Sequence, residues 1–299
     1  MVIYDKNKTF DGKLGAYNNP IIPKGFGPVN TMISRWENRK DEYNKGLVIQ
    51  DKLGNQFVWV PIDNKTVKYE KIFGDKDKSF SSKFSDVKIE NGFDEKKLKN
   101  TYQGFYVSRY ESSFDFNLGN IRVACKKSTG KEISTDWSST RTEKYNGYLW
   151  NYINYNDAKF YSENMVASYG LDSKKIGTML INGTQWDTIM KWIQSTDPLK
   201  SIYDSRSWGN YRDYSTVGEY LENGILHVSG YSENWQVNNI YDLAGNLWEL
   251  SNEKSNNKYV YRGGFYHGSG KEFPAVSREY SDDTSNYVNV GFRVVLYLK

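Results

Sequence analysis

The sequence predicts an α+β fold, and three observations carry that prediction. Two β-rich runs, Gly46–Gln50 and Gln56–Val60, flank a Gly-containing turn. Two stretches near the middle repeat apolar residues at helical spacing. From Asn239 to Leu298 short apolar runs alternate with turn residues. Strands, then helices, then strands is the order of helices packed on an antiparallel sheet, not of helices crossing between parallel strands.

Each element follows from its residues. Residues 1–45 read as a polar N-terminal arm, because Asn18-Asn19-Pro20, Pro23-Lys24-Gly25 and Gly27-Pro28 are turn chemistry. The main domain is expected over 46–299. Its first hairpin turns through Asp51-Lys52-Leu53-Gly54-Asn55. Residues 64 to about 100 are dominated by Lys, Asp, Ser and Asn and read as a solvated polar insertion. Phe105-Tyr106-Val107-Ser108-Arg109-Tyr110-Glu111 resumes a strand. In the first helix Asn156 is placed to cap, and Ala158, Tyr161, Met165 and Tyr169 recur three or four residues apart before the stop at Gly170. In the second, Thr184 with Asp187 approximates a capping box, and Trp186, Ile189, Met190 and Ile193 form a core-facing stripe. Residues 200–235 are dense in Gly, Ser and Asn and read as loops.

Composition narrows the function classes. A chain of 299 residues can bury a core without disulfide or metal staples. Its 40 basic and 36 acidic residues leave a net charge of +4, mixed along the chain, so no nucleic-acid partner is expected. The single cysteine, Cys125, excludes an internal disulfide and a two-thiol redox site, and is expected to be a buried small residue. No run approaches the roughly 18–20 apolar residues of a membrane span, so no membrane insertion is expected. No apolar core follows Met1–Lys8, so no secretory signal is expected; the expected location is the cytoplasm or a virion such as a phage particle. The 25 tyrosines serve either as sheet and core filler or as a recognition surface.

Three blocks near the C-terminus are the most specific: Tyr241-Asp242-Leu243-Ala244-Gly245-Asn246-Leu247-Trp248-Glu249-Leu250, Arg262-Gly263-Gly264 and Gly291-Phe292-Arg293. Together they resemble the C-terminal half of the formylglycine-generating-enzyme (sulfatase-modifying factor) family, a branch of the C-type-lectin fold. Weaker blocks extend the resemblance over about residues 46–299: Phe57-Val58-Trp59-Val60-Pro61, Phe105–Glu111, Tyr155-Asn156-Asp157-Ala158, Gly183-Thr184-Gln185-Trp186 and Ser207-Trp208-Gly209-Asn210. The resemblance implies two helices packed on a small twisted antiparallel sheet, with much irregular structure.

The Asp242–Glu249 turn has hard oxygen donors, and Gly245 tolerates tight dihedrals. Calcium takes six to eight oxygens at about 2.3–2.6 Å. On its residues alone the stretch is either a calcium turn or an Asx-type turn leading into a strand. The resemblance implies a structural calcium, held by the side chain of Asp242, the carbonyls of Gly245 and Leu247, and the carboxylate of Glu249.

The catalytic features of the family are not carried over. Counting from Gly264, Phe265 replaces the family's serine, and Gly268 and Phe273 replace the two cysteines that hold copper. Soft thiolates select copper(I), so no copper is expected. Only His227 and His267 are present, too few for a histidine-held iron site, so no iron is expected. Gly268-Ser269-Gly270-Lys271 matches a phosphate loop only in part, since Phe265 and Glu272 stand where glycine and a hydroxyl residue belong.

What remains is a candidate binding surface on two polar, aromatic loops: Phe265, Tyr266, His267, Ser269, Lys271 and Phe273 in one, and Ser281, Asp283, Asn286 and Tyr287 in the other. Their Tyr, Ser, Gly and Asn content is that of a paratope, and equally that of a solvated loop. The expectation is a non-catalytic module that binds a protein or glycan receptor. Two settings suit it: a phage or prophage tail-associated receptor binder, and a retroelement-diversified variable protein. A divergent metal-dependent oxidase is the alternative. A homo-oligomer is compatible with either.

Overall fold

The computed structural model describes residues 17, 20–29, 45–73, 83–115, 119–123, 149–215, 223–281 and 287–299. Cys125, Asp283 and Asn286 lie outside these. The expected first hairpin is β2 (Val48–Asp51) against β3 (Gln56–Pro61), with Val48 opposite Val58. Its turn is set by Asp51, whose Oδ1 accepts from the backbone N–H groups of Leu53 and Asn55 at 2.9 Å.

The hairpin belongs to a six-stranded antiparallel sheet ordered β1-β2-β3-β5-β15-β8. Here β1 is Phe26–Pro28, β5 Gly104–Ser108, β8 Ile176–Leu180 and β15 Val294–Leu298, while β6 (Ser113–Asp115) pairs with β7 (Asn120–Arg122) and β9 (Gln236–Val237) with β10 (Ile240–Tyr241) outside it. The N- and C-terminal parts of the chain therefore share one sheet. A second sheet is ordered β13-β12-β11-β14, with β4 (Phe84–Asp86) also pairing with β11. Its strands are β11 (Trp248–Ser255), β12 (Lys258–Arg262), β13 (Arg278–Ser281) and β14 (Val290–Phe292), and β11 runs parallel to β14.

Two helices pack against these sheets, α1 (Tyr155–Ser168) and α2 (Gly183–Thr196). Both start one or two residues before the cap expected from sequence. Asn154, not Asn156, caps α1 by accepting from Asp157 N. Asn182 caps α2 in a reciprocal box with Gln185, in place of Thr184 with Asp187. Each asparagine lies just outside the helix, in extended backbone, where its side chain reaches the third amide on. The α2 stripe of Trp186, Ile189, Met190 and Ile193 is fully buried, as its spacing predicts.

Two regions expected to be solvated are anchored. Within 64–100, Val67, Tyr69, Phe73, Phe84 and Leu98 are buried, and Asp86 accepts from the amides of Gly183 and Thr184. Within the N-terminal arm, Ile21, Ile22 and Phe26 join the core and Phe57 meets Phe26 edge-on. Sparse apolar residues among many polar ones suffice, because each covers an otherwise exposed flank of a sheet. Among the described residues no helix is long and apolar enough to cross a membrane. Few helices and mainly antiparallel sheets make this the α+β class predicted.

Candidate functional site

The loop after β12 begins with two glycines in left-handed backbone, Gly263 (φ 91) and Gly264 (φ 83). A Cβ on Gly264 would lie 2.2 Å from the Phe273 carbonyl oxygen, so the two ends of the loop close on a residue without a side chain. The Tyr211 hydroxyl lies 2.8 and 2.9 Å from the carbonyl oxygens of Gly263 and Phe273 and ties the ends together.

Within the loop almost every turn is fastened. Tyr266 N donates to Asn246 O, Gly268 N to Phe265 O and Phe273 N to Ser269 O, all at 2.8–2.9 Å. Ser269 Oγ and Gly270 N donate to the two oxygens of Asp213 at 2.7 and 2.8 Å. Ser269 is therefore a buried brace and not a contact residue. Phe265 stacks on Trp248 at 5.9 Å, and Phe273 meets the same ring edge-on at 5.6 Å. Both are half-buried supports of the core. That leaves His267 and Lys271 exposed and Tyr266 half-exposed. Burial, and then neighbouring Tyr152, raise the pKa of Tyr266.

The second loop starts at Ser281, the last residue of β13. Tyr287 is 38% exposed and Val288 41%. Their carbonyls accept from Tyr152 N at 3.0 Å and Asn151 Nδ2 at 2.8 Å. The structure thus adds Asn151 and Tyr152 to this face. No motif marks them in the sequence, and the unusual φ of 52° at Tyr152 is visible only in the fold.

The Asp242 turn is buried against the first loop, whose Tyr266 N donates to Asn246 O. Asp242 Oδ2 accepts from Ser229 Oγ at 2.7 Å and Gly230 N at 2.9 Å, while Asp242 Oδ1 is buried with no hydrogen-bond partner among the described residues. Burial raises the Asp242 pKa to about 6, against the pull of those bonds and of Arg293. Glu249 accepts from Arg293 Nε with both oxygens, at 3.0 and 2.9 Å, and from Arg293 Nη2 at 2.6 Å. A third carboxylate comes from the strand block at Glu111. It accepts from Leu247 N at 3.0 Å and Asn246 Nδ2 at 2.5 Å. Burial, then Asp242 and Glu249, push the Glu111 pKa well up.

These contacts bear on the two side chains of the calcium expectation, Asp242 and Glu249. Asp242 fits a cation, since it has a buried oxygen to offer. Glu249 does not, since Arg293 occupies both of its oxygens. Among the described residues no three His, Cys, Asp or Glu side chains converge as a metal-holding group, so further ligands would have to be carbonyls or water. Gly268, at the position of the first thiol, is buried, and a Cβ there would lie 2.9 Å from the Phe265 ring.

No family model and no curated protein matches the chain. Three solved structures are similar in shape. CarF is 14% identical, with 71% of this chain and 95% of CarF covered, at a TM-score of 0.45. PvdO from Pseudomonas aeruginosa is 12% identical, with 84% and 98% covered, at a TM-score of 0.49. Treponema denticola variable protein 1 is 14% identical, with 71% and 98% covered, at a TM-score of 0.37. These are partial likenesses of shape, and neither ligand nor chemistry follows from them.

Proposed function

We propose that this chain is a non-catalytic binding module of C-type-lectin-like fold and formylglycine-generating-enzyme type. Its receptor is a protein or glycan, taken through the loops at 265–273 and 281–289. One observation carries this reading. The first loop is closed by Gly264 and Tyr211 and braced by Asp213, yet it leaves Tyr266, His267 and Lys271 at the surface. A loop already held in one conformation loses little entropy on binding. At the positions of the family's thiols stand a buried glycine and a phenylalanine packed on Trp248, and neither is a copper ligand. Any structural calcium would rest on Asp242 and turn carbonyls, with Glu249 left to Arg293. The finer assignments, a tail-associated receptor binder and a retroelement-diversified protein, differ in whether isolates vary selectively at residues 281–289.

The test is binding of labelled protein to a panel of intact bacterial cells and to a printed glycan array. A Tyr266→Ala/Tyr287→Ala variant should melt near the wild type and lose about 1–3 kcal/mol of affinity, roughly 5–150-fold. Wild-type binding by that variant would move the site elsewhere. The oxidase alternative is tested with a cysteine-containing peptide and copper- or iron-loaded protein. Oxidation above the buffer control would replace the binding reading.

A further inference from the structure

We propose that Tyr152 is the third anchor of this face, and that Tyr152, Tyr266 and Tyr287 form a platform for a glycan. The inference rests on the binding reading above and names both a further residue and the ligand class.

Tyr152 has φ 52°. The other described non-glycine residues with positive φ are Asn, Asp or Gln: Asn64, Gln103, Asn238, Asn239, Asp242, Asn246 and Asn256. Short polar side chains such as Asn and Asp tolerate this region because they bond locally to the backbone; a bulky aromatic ring has no such compensation. A strained conformation persists only where its surroundings over-determine it. Here Tyr152 N donates to Tyr287 O and Asn151 Nδ2 to Val288 O, so the segment is stitched to the second loop. Trp150, Asn151 and Ile153 are buried, while Tyr152 between them is half-exposed. The strain therefore keeps an aromatic ring at the surface where the chain on either side is core. Tyr152 also neighbours Tyr266 closely enough to affect its ionisation. Tyr152 is thus bonded through its backbone to Tyr287 and lies within electrostatic reach of Tyr266.

The class of ligand follows from what surrounds the rings. A protein interface of ordinary size buries about 800 Å² per partner around an apolar centre. Among the described residues of this face, Val288 is the exposed large aliphatic side chain. Around the rings are tyrosine hydroxyls, His267 and Lys271. A pyranose has matching chemistry: a C–H face that stacks on an aromatic ring and a rim of hydroxyls for polar neighbours.

Fluorescent protein on a printed glycan array, read with thermal melting, tests the proposal. Glycine takes a φ of 52° without a Cβ penalty, so Tyr152→Gly removes the ring and relieves the strain together. Tyr152→Gly should melt no lower than wild type and bind its array glycans at least tenfold more weakly. Tyr152→Phe, which keeps the ring face, should bind within a few-fold of wild type. Three results overturn the proposal. If Tyr152→Gly binds like wild type while Tyr266→Ala/Tyr287→Ala does not, the face stands without Tyr152. If Tyr152→Gly melts well below wild type, the ring is a packing residue. If the wild type binds cells but no glycan, and protease treatment of the cells abolishes that binding, the face stands with a protein receptor. Only unchanged cell binding by the Tyr266→Ala/Tyr287→Ala variant would sink the underlying reading as well.

Discussion

Two buried ionic clusters share strand β11, four residues apart, and they are built on opposite charge balances. At Glu253 the acids Asp86, Asp187 and Glu253 meet three cations, Lys71, Arg262 and Arg278. Arg262 reaches Asp187 at 2.8 Å and Arg278 reaches it at 2.7 Å. Arg278 also donates to the Phe73 carbonyl. At Glu249 the acids Glu111, Asp242 and Glu249 surround a single cation, Arg293. Fully ionised, these acids would outnumber their cation in a buried site, and the raised pKa values of Glu111 and Asp242 relieve that excess by favouring protonation. The balanced cluster joins Lys71, β4, α2 and the strands β11, β12 and β13 of the second sheet, and it is a fastener. The acid-rich cluster lies against the loop after β12, whose Tyr266 N donates to Asn246 O, and its Asp242 has an oxygen without a hydrogen-bond partner among the described residues. A buried charge is tolerable when paired and costly when not, so the two clusters should respond oppositely to the loss of a carboxylate charge.

The largest expected effect is in the balanced cluster. Asp187→Asn leaves Arg262 and Arg278 facing each other with only Glu253 between them. Urea denaturation should show a loss of about 3–5 kcal/mol, the range for breaking a buried pair from one side. A loss under 1 kcal/mol would mean that the clusters do not differ as their charges imply.

The next effect sharpens the comparison through calcium. A divalent cation would stabilise the ionised form of Asp242, which burial otherwise disfavours, and has no reason to bind at the balanced Glu253 cluster. At calcium a hundredfold above its dissociation constant, binding to the native state alone adds about 2.7 kcal/mol. A chelator should therefore lower the melting temperature of the wild type and of Asp187→Asn, but not of Asp242→Ala. Indifference of the wild type to chelator, with no calcium in the purified protein, would remove calcium from the site.

The smallest effect concerns the acid-rich cluster alone. Asp242→Asn keeps an acceptor for Ser229 and Gly230, suits the left-handed backbone (φ 58), and removes a carboxyl whose charged form burial disfavours. Without divalent cations it should change stability by under about 1 kcal/mol, or raise it. A loss comparable with that of Asp187→Asn would show that Asp242 is as firmly paired as Asp187.

The phenylalanines of the first loop show where sequence reasoning reached its limit at the site. Phe265 and Phe273 read as contact residues because they lie between scaffold blocks. In the fold both rings rest on Trp248, and the surface is left to Tyr266, His267 and Lys271. A loop residue's spacing does not say which way its ring turns; the nearest buried aromatic decides that.

The local features of this protein follow from near neighbours along the chain. The β2–β3 hairpin, the α2 stripe and the turn at Asp242 were legible because each depends on residues within a few positions, through periodicity, turn chemistry and backbone freedom. Only the tertiary structure decided the roles of the charged residues in the same motifs. Arg262 meets Asp187 across 75 residues, Arg293 meets Glu249 across 44, and Asn246 meets Glu111 across 135. Asp187 read as a capping residue and is an ion-pair partner instead, because Asn182 already satisfies the helix start and strands from far along the chain bring two guanidinium groups to it. Whether a charge is solvated, paired or left in excess depends on which distant segments exclude water around it, and no local pattern encodes that.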